Sequence, residues 1–427
     1  MAAARSESRK LPRQKFKRFV HAVLAPVLVS AANFMVSGLL AALVPASEFG
    51  LYAFAIVLQV LAYGVSTALF GGTIAIVLNE ETGATAADIN AFYKLNAMLC
   101  AAAALLTGVA VAWLGGGNLR VALFALLAMI AVYRWYLRLH AFAILDARIV
   151  AISDSIYAAV VAVGSLMLLG FHSVTVPWAT GIMVAGNVLA TLAFGRLYVN
   201  HLRAGLSQGK ARDFAAVWHR FSRWSLLGTV TSELTSNAHS YIIAGYGGPA
   251  ALAPLAVASL LWRPLGLTMV TLTQSERPLL VGLAAKGDTD EIKRSLGHFR
   301  IALTAILIAN AIGAVLFLHY AGGTVFGENY DFATLFHASW FMMIISAIRA
   351  FRAAESALLQ ALGSFKFLAI TTVVTAGVSI SLVVLMLLSF GLVESLAGTA
   401  VGELLATLAI FLHARRWLRQ HASSAIN

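Results

Sequence analysis

The residues best equipped for chemistry lie where an apolar chain should not carry them. The stretch TVTSELTSNAHSYIIAG, residues 229 to 245, sets Glu233 among hydroxyl, amide and imidazole side chains. At about 100° per residue, Thr229, Glu233, Ser236, Asn237 and Ser240 form one helical stripe, with Thr231, Thr235 and His239 in a second beside it. An unpaired charge at mid-membrane costs roughly 2.5–3.5 kcal/mol on insertion scales, so such groups commonly mark ion or substrate paths. Arg263, just before the helix-breaking Pro264, and Glu403 sit at similar depth, and Asn33 and Gln59 are neutral counterparts in the first half. A carboxylate in this setting gains and loses a proton or holds a cation, and a guanidinium attracts an anion. The bland alternative is a Glu233–Arg263 ion pair that only locks two helices together.

The elements that position these groups follow from composition. Of 427 residues 60% are hydrophobic and 11% charged, and mean hydropathy is +0.85, which specifies an all-α integral membrane protein. Apolar runs of spanning length predict twelve transmembrane helices, roughly 20–44, 49–70, 93–114, 119–139, 152–171, 176–196, 222–245, 251–272, 298–318, 333–353, 366–388 and 394–413. A basic N-terminus (1–18), a six-helix lobe (19–196), a linker (197–221), a second lobe (222–413) and a tail (414–427) result. Of the lysines and arginines, only Arg120 falls outside and Arg263 within a span; the rest lie on one side. That distribution predicts both termini in the cytoplasm and accounts for the net charge of +12 without nucleic acid as a partner. By the same rule Arg134 and Arg138, ending span 4, and Arg349 and Arg352, ending span 10, read first as topology signals. Asp154 reads as a span-end acid, so the first lobe looks softer inside than the second.

The two lobes share traces of a repeat. An offset of 204 positions brings Pro45 onto Pro249, Gln59 onto Arg263 and Asn33 onto Asn237; an offset of 215 brings Arg134 beside Arg349. Six spans per repeat give two halves of the same orientation, pseudo-symmetric about the membrane normal. No nucleotide-binding or hydrolytic motif appears: GLSQGKA, residues 205 to 211, lacks the spacing and terminal hydroxyl of a phosphate loop. The lone Cys100 forms no intrachain disulfide. No metal or cofactor is expected. Glu328 and Asp331, in the longest outer stretch, are the residues a membrane polymerase or ligase reading would need.

The six-plus-six layout, the segment PASEFGLYAFAIVLQVLAYG joining spans 1 and 2, and the paired polar spans 1 and 7 together resemble the multidrug/oligosaccharidyl-lipid/polysaccharide exporter superfamily. Within it, the chain looks like the bacterial polysaccharide flippases of the Wzx type. The resemblance covers essentially the whole chain and implies two lobes around a central cavity lined by spans 1, 2, 7 and 8. Asn33, Gln59, Glu233, Asn237 and Arg263 would then face that cavity, with Arg134, Arg138, Arg349 or Arg352 assisting at its inner mouth, Arg134 and Arg349 as substrate-binding groups. The implied substrate is an undecaprenyl-diphosphate-linked oligosaccharide, moved across the bacterial cytoplasmic membrane for surface polysaccharide assembly. Glu233, Glu403 and His239 become coupling or gating residues for a proton or sodium gradient, and membrane lipids, glycosyltransferases and a polymerase the implied partners. The drug-exporting branch commonly has an acid in span 1; Asn33 stands here instead, so a cation-coupled drug or small-solute exporter is the second reading.

Overall fold

The computed structural model describes residues 27–71, 73–74, 77, 85–144, 146–327 and 329–423, and among them all regular structure is helical. The long helices are α1 (Val27–Leu43), α2 (Ala46–Ser66), α3 (Ala86–Trp113), α4 (Asn118–Ala143), α5 (Ala147–Gly170), α6 (Val176–Leu192), α7 (Arg196–Gln208), α8 (Arg223–Leu260), α9 (Arg263–Lys286), α10 (Thr289–Phe317), α11 (Phe332–Ala361), α12 (Phe365–Phe390) and α13 (Leu396–Ser423). Nine helices among the described residues are long and apolar enough to cross a membrane. The α6–α7 pair, bent by 97°, passes that test jointly, and α1 is a shorter apolar helix. The protein is an all-α, multi-pass membrane protein. The basic segment 1–18 lies outside the described residues.

Several helices outrun the apolar windows. Helix α4 continues to Ala143 and α11 to Ala361, because the residues that end the hydrophobic run are still good helix formers. Helix α8 is 38 residues long, about 57 Å if it were straight and nearly twice a bilayer's hydrocarbon thickness. It breaks instead at Gly248, whose φ of 74° suits glycine, immediately before Pro249. A second departure from helical geometry falls at Asn237, with φ −120° and ψ 15°. The stretch beyond Pro249 and helix α9 together take the place of predicted span 8, and the chain restarts its helix at Arg263 with Pro264 in the first turn. Asp331 caps α11: Thr334 donates to it through its backbone N–H at 2.8 Å and its hydroxyl at 2.6 Å. Glu328, its suggested partner, lies outside the described residues.

The chain divides into two compact units. Unit one holds the residues up to Leu40 together with Leu58–Arg223. One of its cores is aromatic: Phe70, Phe92, Tyr93, Tyr136, Phe194, Tyr198 and Phe214 are all buried. Unit two holds Ala41–Val57 and Trp224–Asn427. The start of α2 therefore packs with the second half of the sequence, a division that the hydropathy pattern does not reveal. Gly50 makes that packing possible. A Cβ there would lie 1.7 Å from the Pro249 carbonyl oxygen, so the two backbones meet where a side chain has no room.

Candidate functional site

In unit one the helix interiors meet around a carboxylate. Arg134 and Arg138 lie four residues apart on one face of α4. Arg134 is about ten residues, or roughly 15 Å, from that helix's C-terminal end. Its Nη2 reaches Asp154 Oδ1 of α5 at 2.5 Å, and Arg138 Nη2 lies 3.1 Å from Oδ2. Asp154 is fully buried, and the two arginines are 4% and 8% exposed. Arg134 also donates to Ser153 Oγ and to Asn187 Oδ1 of α6, each at 3.2 Å. Its guanidinium stands 4.5 Å over the Tyr157 ring, and that of Arg138 stands 4.8 Å over Trp135. The Tyr157 hydroxyl donates to Asn33 Oδ1 at 2.6 Å. Gln59 Nε2 donates to the Tyr63 hydroxyl at 2.5 Å; the Tyr63 ring stacks on Trp135, and the residue lies in the field of Arg134, Arg138 and Asp154. Asn33, Gln59 and Arg134, read separately in the sequence, thus belong to one buried network. It holds two guanidiniums and one carboxylate, and Arg138 Nε has no hydrogen-bond partner among the described residues.

Unit two contains a related arrangement. Glu403 of α13 is 1% exposed; its Oε1 accepts from Arg349 Nε and from the Ser236 hydroxyl, each at 2.8 Å, while its Oε2 forms an ion pair with Arg352 Nη1 at 2.8 Å. Arg349 Nη2 donates to the Ser236 carbonyl at 2.9 Å, one residue before the irregular backbone of Asn237. The break in α8 therefore turns a main-chain carbonyl toward the guanidinium. One turn from Ser236, Glu233 is partly buried and accepts from Asn237 Nδ2 at 2.8 Å, with Arg349 and Glu403 as its charged neighbours. His239, buried, has its Nδ1 3.3 Å from the Thr399 hydroxyl. Glu233, Asn237, His239, Arg349 and Glu403 are thus brought together. Arg263 is not part of that cluster: its electrostatic neighbour is Tyr52 on the α2 segment of the same unit.

Two sequence expectations change. The arginines of spans 4 and 10, read first as topology signals, are buried or half-buried inside their units, where Asp154 and Glu403 pair with them. The first lobe is also as charged inside as the second, since Asp154 lies between two arginines and not at a span end. The ion pair considered between Glu233 and Arg263 gives way to Glu403 with Arg349 and Arg352. Arg138 and Arg352, expected to assist at the inner mouth, belong to the networks, and Tyr63, Tyr157 and Asn187, which the sequence does not single out, complete them. A signal was present: both arginine pairs have helical spacing, and Arg134 and Arg349 are 215 positions apart, while Asn187 and Glu403, which accept from them, are 216 apart. The networks are similarly spaced along the two halves, with an amide in one lobe and, one position off the arginine offset, an acid in the other.

Among the described residues no group of three or more histidine, cysteine, aspartate or glutamate side chains could hold a metal ion. What the networks offer is fixed positive charge and rigid hydrogen-bonded polarity inside a membrane-spanning bundle.

No known sequence family and no curated protein matches the chain. Solved structures do match over nearly its whole length. An inward-facing multidrug resistance MATE family transporter of the MOP superfamily superposes with a TM-score of 0.66 at 14% identity, covering 95% of this chain and 99% of that one. An outward-facing structure of a transporter so described gives 0.62 at 15% identity, over 95% and 96%. The lipid II flippase MurJ, in an inward closed conformation, gives 0.64 at 14% identity, over 92% and 87%. At these identities the likeness establishes the fold.

Proposed function

We propose that this chain, which has the fold of the multidrug/oligosaccharidyl-lipid/polysaccharide exporter superfamily, is a flippase. Its substrate is an oligosaccharide repeat unit linked to undecaprenyl diphosphate, carried by alternating access across the bacterial cytoplasmic membrane during surface polysaccharide assembly. Both termini lie in the cytoplasm, and glycosyltransferases and a polymerase act before and after it. The observation that carries this reading is a charge imbalance. The two networks together contain four guanidiniums, on Arg134, Arg138, Arg349 and Arg352, against three carboxylates, on Asp154, Glu233 and Glu403. A surplus of fixed positive charge in a low-dielectric interior favours a diphosphate over a cationic drug. The MurJ likeness supports the reading, since MurJ is a lipid II flippase.

Transport of so large an anion needs a driving force, which a proton or sodium gradient supplies. Glu233 is the coupling carboxylate: among the described residues its hydrogen-bond donor is Asn237, at the irregular turn of α8, whereas Glu403 is held in ion pairs with two arginines. His239 and Glu403 position α8 against α13.

The test is a deletion strain complemented separately with wild type, Glu233→Gln and Arg263→Ala, scored for surface polymer and lipid-linked intermediates. Loss of polymer with intermediates held on the inner leaflet, rescued by wild type alone, is the expected result. Normal polymer in the deletion strain, with new sensitivity to cationic dyes, would replace this reading with drug export.

A further inference from the structure

Helix α6 has 17 residues, about 26 Å, the short end of the spanning range. Exposed Leu189 and Leu192 carry its apolar outer side to its last residue. Four residues on, α7 sets off at 97° to it. Gly195, with a φ of 81°, makes a turn that a side chain would strain. Buried Phe194 packs edge-on against Tyr198, ring centroids 5.3 Å apart, and pins the corner. A helix at a right angle to a span lies in the plane of the bilayer surface, where hydrocarbon gives way to head groups.

Helix α7 is held there as a rigid bar. Its inner face, Tyr198, His201, Leu202 and Gly205, is buried or half-buried. A Cβ on Gly205 would lie 2.5 Å from Tyr93 Cβ, and one on Gly209 2.4 Å from the Asn90 carbonyl oxygen, so this stretch meets α3 more closely than side chains allow. The Tyr93 ring stacks on His201 with centroids 5.6 Å apart. Lys94 Nζ donates to the Leu206 carbonyl at 3.2 Å and ties the last turn of α7 to α3. A bar fixed in this way costs little further ordering when it binds.

The outer face is basic. Arg196, Asn200, Arg203 and Ser207 stand at i, i+4, i+7 and i+11, one stripe, and all four are exposed. Exposed Val199 and Leu206 flank the stripe on one side and Leu197 on the other. Exposed Lys210 follows just beyond the helix. From Arg196 to Lys210 the sequence has no acid, and the next one, Asp213, lies 3.8 Å from Arg212. Among the described residues no carboxylate pairs with Arg196, Arg203 or Lys210. Arg196 and Arg203 are about 10 Å apart along the axis, too far to share one phosphate, so their complement is a row of head groups and not a single small anion.

We propose that α7 is an interfacial helix whose Arg196, Arg203 and Lys210 bind the phosphates of anionic phospholipids, with Leu197, Val199 and Leu206 seated at the acyl boundary. The partner is the membrane surface itself, and unit one is thereby oriented against an anionic leaflet. None of these residues belongs to the interior networks, so the inference does not depend on the transport assignment.

The experiment uses the full chain in nanodiscs, with an environment-sensitive fluorophore on Leu206→Cys; Cys100 is buried and does not compete for the label. Acyl-brominated dioleoyl phosphatidylglycerol, titrated into dioleoyl phosphatidylcholine, should quench the probe at lower lipid fractions than acyl-brominated phosphatidylcholine does. A cation at an anionic head-group surface contributes about fivefold in affinity, so Arg196→Gln with Arg203→Gln should raise the phosphatidylglycerol fraction for half-maximal quenching about 25-fold. Arg196→Lys with Arg203→Lys should keep most of the preference, which a loss of folding would not allow. Lys293→Gln with Arg294→Gln on α10, whose charges pair with Asp290 and Glu291, should leave the titration unchanged. Equal quenching by the two brominated lipids in wild type would overturn the proposal, as would an unchanged titration in the Gln pair. A probe that responds to poly-glutamate in phosphatidylcholine discs but not to phosphatidylglycerol would also overturn it and give the stripe to an acidic protein segment.

Discussion

Asp154→Asn is the sharpest probe of the interior networks. The substitution keeps the size and an acceptor oxygen but removes the carboxylate between Arg134 and Arg138, which lie 2.5 and 3.1 Å from it. Both arginines are less than a tenth exposed and Asp154 is not exposed at all, so solvent screening provides little relief. Breaking one side of a buried ion pair costs about 3–5 kcal/mol, because the surviving charge is left uncompensated. For a folding unit of about 200 residues this corresponds to a fall of roughly 6–20 °C in apparent Tm. Glu403→Gln should cost less, since the side chains of its partners Arg349 and Arg352 are 30% and 16% exposed and water reaches them. The decisive measurement is a double-mutant cycle. Adding Arg138→Gln to Asp154→Asn restores the wild-type net charge and leaves Arg134 on Ser153, Asn187 and the new amide. The double variant should therefore unfold at a higher temperature than Asp154→Asn alone, with a coupling of about 1–3 kcal/mol. Tryptophan fluorescence and size-exclusion in detergent read both quantities. If Asp154→Asn melts with wild type, or if the two substitutions simply add, the carboxylate does not hold the arginines and the charge argument fails.

Other perturbations test separate steps of the reasoning. Gly50→Ala places a methyl group 1.7 Å from the Pro249 carbonyl oxygen, so the start of α2 must shift from unit two; a cost at or above the usual overpacking range of about 1–3 kcal/mol is expected, seen as reduced yield of monodisperse protein, and unchanged yield and Tm would refute the close approach. Glu233→Gln should leave insertion and Tm near wild type while removing the dependence of transport on an ion gradient; retained dependence would clear Glu233 of coupling. Asp331, outside the membrane, has its carboxyl held below the usual carboxylate range, first by the Thr334 hydroxyl and then by the Thr334 backbone N–H. A carboxyl lowered on folding stabilises above its unfolded pKa of about 3.9 and loses that contribution as pH falls through the lowered folded value. The Tm gap between wild type and Asp331→Ala should therefore be present at neutral pH and close at strongly acid pH; a gap that is constant with pH would refute the cap.

How much of this was legible in the sequence depended on length scale. The helical membrane architecture was, because twelve apolar runs and the lysine and arginine distribution reflect a bilayer as solvent, and that constraint acts on composition. So was the polarity of the Glu233 stretch, which sets Ser236 and Asn237 on one stripe with Glu233, and His239 on a second beside it. The position of the arginines was not. The windows 119–139 and 333–353 put these arginines near their ends, whereas α4 runs on to Ala143 and α11 to Ala361, so Arg134 and Arg349 lie further from the helix ends than the windows implied. Asp154 was hidden for the same reason, since α5 begins at Ala147 and places it two turns in. The association of Ala41–Val57 with unit two was illegible for another reason: it depends on a backbone contact at Gly50, where the informative atom is one that glycine lacks.

The comparison between repeats narrows what the networks are for. If the arginine pairs served only to neutralise a partner, the partner should stand at the same place in both lobes. It does not. In unit one the carboxylate comes from α5 and α6 supplies the amide of Asn187; in unit two the acid is on α13, one position off the arginine offset from Asn187. What both lobes share is the guanidinium pair and an acceptor on the last helix of the repeat. The arginines are therefore the common element and the acids are local means of holding them, each meeting the requirement that a buried charge be hydrogen-bonded. Swapping the acid between positions, by Asp154→Asn with Asn187→Asp, tests this directly. Arg134 already donates to Asn187 at 3.2 Å, so the swapped lobe should recover most of the stability that Asp154→Asn loses. It should also recover transport, provided that the orientation of Arg134 is what transport uses. Recovery of Tm without transport would show that the placement of the negative charge, and not only the presence of the arginines, matters to the substrate.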